Sequence, residues 1–187
     1  MFSEEKVAQM AAYLLSKGGG RMAYLKLIKL LYLSDRQSMD TYGDSISGDR
    51  FVAMKHGPVL SQTYDLVKNG GEEESGWNHW IQGAENYEVA LKHQEVSVED
   101  LDELSEADIE ILDNVMAEFG HMSKYQIRDY THDHCAEWQD PGCTSVAITP
   151  YATFTALGRS RDVAAVLQDR IFEREQLDRA LSAYKFR

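Results

Sequence analysis

A mainly α-helical fold is predicted here, one compact domain with a minor β-strand or hairpin element. Three observations predict it. Apolar residues recur at i, i+3, i+4 and i+7 in most segments, the spacing of a buried helical stripe. Proline is scarce, three in 187 residues, so little interrupts those helices. Alternation suited to strands is confined to short stretches within 51–54 and 87–98. With 43% apolar and 27% charged residues, the chain can build its core without metal or disulfide help. No apolar run approaches the roughly 20 residues that cross a bilayer. Met1–Lys17 lacks the basic start and apolar run of a secretory signal. Two cysteines, Cys135 and Cys143, cannot make a disulfide framework, so a reduced cytoplasmic setting is expected.

The first helix is expected over Glu4–Lys17, with Val7, Met10, Ala11, Leu14 and Leu15 as its buried stripe. Ser3 caps it, Glu4 and Glu5 suit its dipole, and Gly18–Gly20 ends it. The second, Met22–Tyr42, is apolar almost all round and should be central. Phe51–Met54 then reads as a short strand between Gly48-Asp49 and Gly57-Pro58. Pro58 suits a helix's first turn, so a third helix is expected over Val59–Asn69. The stretch from Gly70 to Gly76 reads as an acidic loop. Tyr87–Leu91 and Glu95–Val98 alternate as the two arms of a hairpin. Ser105 opens a helix striped by Ile109, Leu112, Met116 and Phe119, and Ser123 opens another running towards Trp138. Thr149-Pro150 starts a short helix. A long final helix from Ser160 places Val163, Val166, Leu167, Ile171, Leu177, Leu181 and Tyr184 on one side.

The charge is −12 overall and uneven. Residues 71–140 carry 3 basic and 19 acidic side chains, a balance of −16, while the stretch before and the stretch after are each +2. Phosphate neutralisation needs the opposite sign, so no nucleic-acid binding is expected of the isolated chain. An acidic face suits solubility or a basic protein partner.

Several groups carry chemically useful residue types. His121, His132, His134, Cys135 and Cys143 include zinc ligands, but neither CxxC nor HxxxH occurs, and no metal or other cofactor is expected. Cys135 and His132 sit in no nucleophile motif, so no catalytic residue is assigned. Asp35 and Arg36 interrupt an apolar helix and read as a buried charged pair or an exposed face. Lys55-His56-Gly57-Pro58 sets two cationisable side chains against a rigid turn, which either presents a contact or redirects the chain.

Three stretches in order carry a resemblance: KLIKLLYLSDR (Lys26–Arg36), SGDRFVAMKHGPV (Ser47–Val59) with Tyr64–Lys68, and LSEAD…THxxxxxW (Leu104–Trp138). Together they resemble the SocA-like antitoxin family, or Panacea domain, which recurs in prophages and bacterial toxin–antitoxin pairs. The resemblance implies a non-enzymatic antitoxin over residues 1–158 that binds and neutralises a toxin encoded beside it. Residues 159–187 would then form a helix packed on that domain or on the partner. A second implied mode is an adaptor that delivers the toxin to a ClpXP-type protease. A metal- or thiol-dependent enzyme built on His132, Cys135 and Cys143 is the remaining alternative. Asp35, Arg36, Asp49, Arg50, Lys55, His56, Gly57, Pro58, His132 and Trp138 match the family's polar or special positions. Of these, Lys55 and His56, together with Ile171 and Leu177 on the final helix, are the expected partner contacts. The others are expected to shape the fold, and neither a metal nor a membrane is expected as a partner.

The charge balance gives a first test. A mobility-shift titration of the isolated chain at physiological salt, against the DNA upstream of its own gene, should show no complex. A shift at nanomolar protein would contradict this reading.

Overall fold

The computed structural model describes residues 1–71, 76–84, 86–93 and 96–185. The expected acidic loop at Glu72–Glu74 and the start of the second hairpin arm, Glu95, lie outside these residues. Helix α1 (Glu4–Lys17) begins where Ser3 Oγ accepts the Lys6 backbone N–H at 3.2 Å. Its stripe of Val7, Met10, Ala11, Leu14 and Leu15 is fully buried. After it, Arg21–Ala23 forms strand β1, and helix α2 (Tyr24–Tyr42) starts only then. Leu27, Leu30, Leu31 and Tyr32 of α2 have no exposed surface, as a helix apolar on most sides requires.

Strands β2 (Phe51–Met54) and β3 (Gly57–Leu60) form an antiparallel hairpin, with Met54 opposite Gly57 and Ala53 opposite Pro58. Pro58 therefore lies in a strand rather than opening a helix, and helix α3 begins at Ser61 and ends at Asn69. The register explains why this is tolerated. Residues next to a two-residue turn's closing pair point both backbone polar groups away from the partner strand. Proline has no N–H to lose there, and β3 is an outer strand of its sheet. Short helix α4 (Trp77–Trp80) leads into β4 (Ile81–Ala84), which pairs with β5 (Glu88–Leu91). Thus the Tyr87–Leu91 alternation does mark a strand, but its hairpin partner precedes it. β1 flanks β5 on the other side. Val98, expected in the second arm, instead starts a 3-10 turn capped by Ser97.

Helix α5 (Glu106–Phe119) and helix α6 (Lys124–His134) both start with capping boxes, Ser105 with Asp108 and Ser123 with Gln126. The deepest side chains of α5 are Ile111, Leu112, Val115 and Phe119, so the buried face is rotated from the expected one; Ile109 and Met116 are half-buried. Strand β6 (Val146–Ile148) adds to β2, giving the order β3-β2-β6. Helix α7 (Pro150–Ala156) and helix α8 (Arg161–Lys185) pack together. α8 meets the body through buried Ala164 and half-buried Leu167 and Ile171. Val163, Val166, Leu177, Leu181 and Tyr184 are exposed instead, which divides the expected single apolar side. Its arc spans more of the helix than the body covers.

Two buried carboxylates tie the loop between α2 and β2. Asp35 accepts backbone N–H groups from Ile46 (2.9 Å) and Ser47 (3.0 Å) and the Ser47 hydroxyl. It does not pair with Arg36. Burial pushes its carboxyl up to about 7, against the pull of the Ser47 hydrogen bonds. Asp49 accepts the Thr63 N–H (2.8 Å), the Thr63 hydroxyl (2.9 Å) and the Gln62 N–H (3.1 Å), so it caps α3 from outside the helix. Arg50, expected among the fold-shaping positions, contributes through its backbone while its side chain is exposed.

Asp35→Ala removes the acceptor of three buried donors. It should lower unfolding stability by about 3 kcal/mol or more, since each orphaned group costs about 1–3 kcal/mol. Urea denaturation reads this as a lower midpoint at unchanged slope. A loss below about 1 kcal/mol would mean that other contacts hold the loop.

Candidate functional site

The two residues at the tip of the β2–β3 hairpin are Lys55 and His56, both exposed. What lies beneath them is unusually polar for a core. Lys29 of α2 is fully buried, and its Nζ donates to the Pro58 carbonyl at 2.6 Å. That carbonyl is free because it points away from β2. Burial pulls the Lys29 ammonium down to about 7. One helical turn before it, Lys26 Nζ donates to the Gly120 carbonyl at the end of α5 (2.7 Å). Both lysines interrupt the otherwise apolar first half of α2. In the fold, each one anchors a neighbouring element.

Gly57 is required twice over at this point. Its φ is +92°, and a Cβ would come within 2.7 Å of Lys29 Nζ and 2.8 Å of Thr131 Oγ1. The other side of the hairpin rests on Trp138, whose indole N–H donates to the Met54 carbonyl at 2.9 Å. The Trp138 ring stacks on His132 with centroids 4.1 Å apart and planes 2° from parallel. Burial, then the charges of Lys29 and Arg128, push the His132 pKa down, so this stack favours a neutral imidazole. His132 Nε2 is buried without a hydrogen-bond partner among the described residues.

Glu137 completes the support and was missed by sequence reasoning. Its carboxylate has no exposed surface and accepts from Arg36 Nε at 2.6 Å and from the Tyr32 hydroxyl. Burial opposes the Arg36 charge, but the Glu137 bond outweighs it and holds the guanidinium above its ordinary value. Asp35 and Arg36, adjacent in sequence, thus serve different partners, because successive helical residues point about 100° apart. Cys135 lies beside this group, buried, with its thiol pushed up to about 12 by burial and the Glu137 charge. A thiol held so high supplies little thiolate for nucleophilic attack. Cys143 is exposed, and among the described residues no three His, Cys, Asp or Glu gather as a metal set.

Beside the hairpin tip lies a cleft of about 280 Å³ between α2, α3 and α6. Lys55 and Arg128, the latter paired with Asp129 at 2.6 Å, bring basic side chains to it, His56 adds an imidazole, and Tyr24, Tyr64 and Tyr125 give it aromatic faces. No Asp or Glu lines it among the described residues. Arg128 and Lys124 lie over the Tyr125 ring at 5.3 and 5.2 Å, and Lys68 lies over Tyr64 at 5.3 Å. A cleft lined by basic side chains in a chain of net charge −12 is the reverse of what whole-chain counting suggests.

The expected contacts are not brought together. Ile171 lines a separate cleft of about 500 Å³ between α8 and the β2–β6 region, and Leu177 lines neither cleft. Six residues apart on a helix, Ile171 and Leu177 point about 120° apart. One is half-buried against the body and the other is 63% exposed.

The family described as antitoxin SocA-like, Panacea domain, matches residues 27–139, more than half of the chain. The chain belongs to the SocA-like antitoxin family. The matched span runs from α2 to just past Trp138 and so contains the whole hairpin support, from Lys29 through Glu137. Helices α7 and α8 lie beyond it. Family membership gives an antitoxin role in general, with a toxin as the kind of partner. Among curated proteins and among solved structures, nothing matches. Among the described residues, no helix is long and apolar enough to cross a membrane.

The titration of Lys29 tests the buried anchor. The ammonium ordinarily titrates at 10.5 and in the fold at about 7. Between these values the unfolded chain binds more protons, so Lys29 makes stability rise with pH across that window. Below about pH 7 the cost of burying the charge is present in full; above 10.5 it is gone. Relative to Lys29→Met, the native sequence should therefore gain stability on the order of a few kcal/mol from pH 7 to 10.5. Parallel stability curves for the two proteins would show that Lys29 titrates normally.

Proposed function

We propose that this protein is an antitoxin that neutralises a toxin encoded beside it by direct binding, with the Lys55-His56 tip and its aromatic cleft as the docking site. The carrying observation is the contrast at the hairpin. Exposed Lys55 and His56 stand on a turn that two hydrogen bonds tie to the body, Lys29 on Pro58 and Trp138 on Met54, and at Gly57 the space for a side chain is filled. Preorganisation of this kind lowers the ordering cost of association. Tyr and Arg residues beside an exposed turn are the residue types that concentrate interface energy.

The cleft's chemistry names the complementary surface. A toxin segment with a carboxylate flanked by an apolar or aromatic side chain would pair with Lys55, His56 and Arg128 while packing on Tyr64 and Tyr125. Exposed Glu106, Glu110 and Glu118 of α5 would add long-range attraction to any basic part of the same toxin. Rim charges of that sort chiefly alter association rate, whereas anchors at the cleft alter dissociation.

Co-expression with the neighbouring gene supplies the test. The Lys55→Ala, His56→Ala double variant and Arg128→Glu should each weaken toxin binding roughly tenfold or more and lose growth rescue. Both should retain the native circular dichroism, since Lys55 and His56 are exposed and Arg128 is half-buried at the surface. Immunoblotting for the toxin separates inhibition, with the toxin level unchanged, from delivery to a protease. Full rescue by both folded variants would move the docking site elsewhere.

A further inference from the structure

Helix α8 lies outside the family match and carries an arc that the body leaves uncovered. Val163, Val166, Arg170, Glu173, Leu177, Ala180 and Tyr184 are all exposed. Their spacing alternates three and four residues for three heptads, the repeat that keeps one seam facing a second helix. The body-facing residues Ala164, Leu167 and Ile171 lie on a different part of the circumference, so the seam is accessible along its length.

The charges on this seam identify its occupant. Arg174 pairs with Asp44, Asp178 with the N-terminus, and Arg179 with Glu175. Arg170 and Glu173, at the centre of the seam, have no ion-pair partner among the described residues. We propose that α8 docks antiparallel on α8 of a second copy of this chain, forming a two-fold symmetric dimer. One register pairs every seam residue from Val163 to Ala180. Val163 meets the partner's Ala180, Val166 meets the partner's Leu177, and Arg170 meets the partner's Glu173. Two-fold symmetry repeats each layer in reverse, so the central charges form two reciprocal pairs. A parallel arrangement would instead set Arg170 against the partner's Arg170 and Glu173 against the partner's Glu173, which like-charge repulsion disfavours. Charge order along the seam thus selects a second copy and its direction.

Analytical ultracentrifugation of the purified full chain, without toxin, tests this over a range of concentrations. The protein should show a concentration-dependent monomer–dimer equilibrium. Leu177→Asp should leave only monomer with native circular dichroism, since that side chain is 63% exposed. Arg170→Glu and Glu173→Arg should each weaken the dimer roughly tenfold or more, because each creates two like-charge contacts. The double swap should restore it, which a merely local structural effect would not do. A monomer at every concentration overturns the proposal. So does a dimer that Leu177→Asp leaves intact, or charge variants without the reciprocal pattern. Toxin binding by the Leu177→Asp monomer is read separately, so failure here leaves the docking site at Lys55 and His56 unaffected.

Discussion

The hydrogen bond from buried Lys29 to the Pro58 carbonyl ties the β2–β3 hairpin to α2. Lys29 sits at the centre of an apolar helix, where an unpaired charge would be costly, and meets that constraint with the Pro58 carbonyl. That acceptor exists because Pro58 occupies the strand position whose backbone polar groups turn outward. Gly57 must then lack a side chain, since Lys29 and Thr131 fill the space where its Cβ would lie. The turn before it is short, and its tip exposes Lys55 and His56. The α2, hairpin and α6 elements thus meet around this one lysine.

Around that contact the buried polar groups divide the work of holding loops. Asp35 fixes the chain after α2, Asp49 caps α3, and Glu137 gathers Arg36 and Tyr32 beneath the chain that leads to Trp138. These are polar supports rather than reactive groups. The Cys135 thiol is held far from ionisation, and the His132 ring is occupied by its stack on Trp138. Such a framework suits an antitoxin, whose task is to keep a recognition surface in one shape. In the proposed reading, the tyrosine-lined cleft beside the tip would give that surface its chemical character.

Much of the helical architecture is legible in the sequence because caps and stripes are local signals. Ser3, Ser105, Ser123 and Thr149 each mark a helix start that the fold uses. The strands were harder to read. Ile81–Ala84 has no alternation to betray it, and Arg21–Ala23 is too short, so both depend on pairing with β5. Pro58 looked like a helix opener because that preference is local, whereas its strand role depends on register with Ala53 and on Lys29. At the site, Lys55 and His56 could be singled out from their turn chemistry. Glu137, Tyr125 and Arg128 could not: Glu137 lies beside the motif residue Trp138 but its burial against Arg36 and Tyr32 is tertiary, and only the approach of α6 to the hairpin brings in Tyr125 and Arg128. The helix α8 seam was legible as apolar spacing, but which part faced the body was decided by the tertiary contact.

The most direct measurement is amide hydrogen exchange on the full chain, free and bound to its toxin. Binding at the hairpin tip predicts new protection concentrated at 54–57 and at the exposed start of α6 around Tyr125–Arg128, with α1 and the centre of α2 unchanged. Unaltered exchange at 54–57, with protection gained instead along α8 or the cleft beside Ile171, would contradict the account.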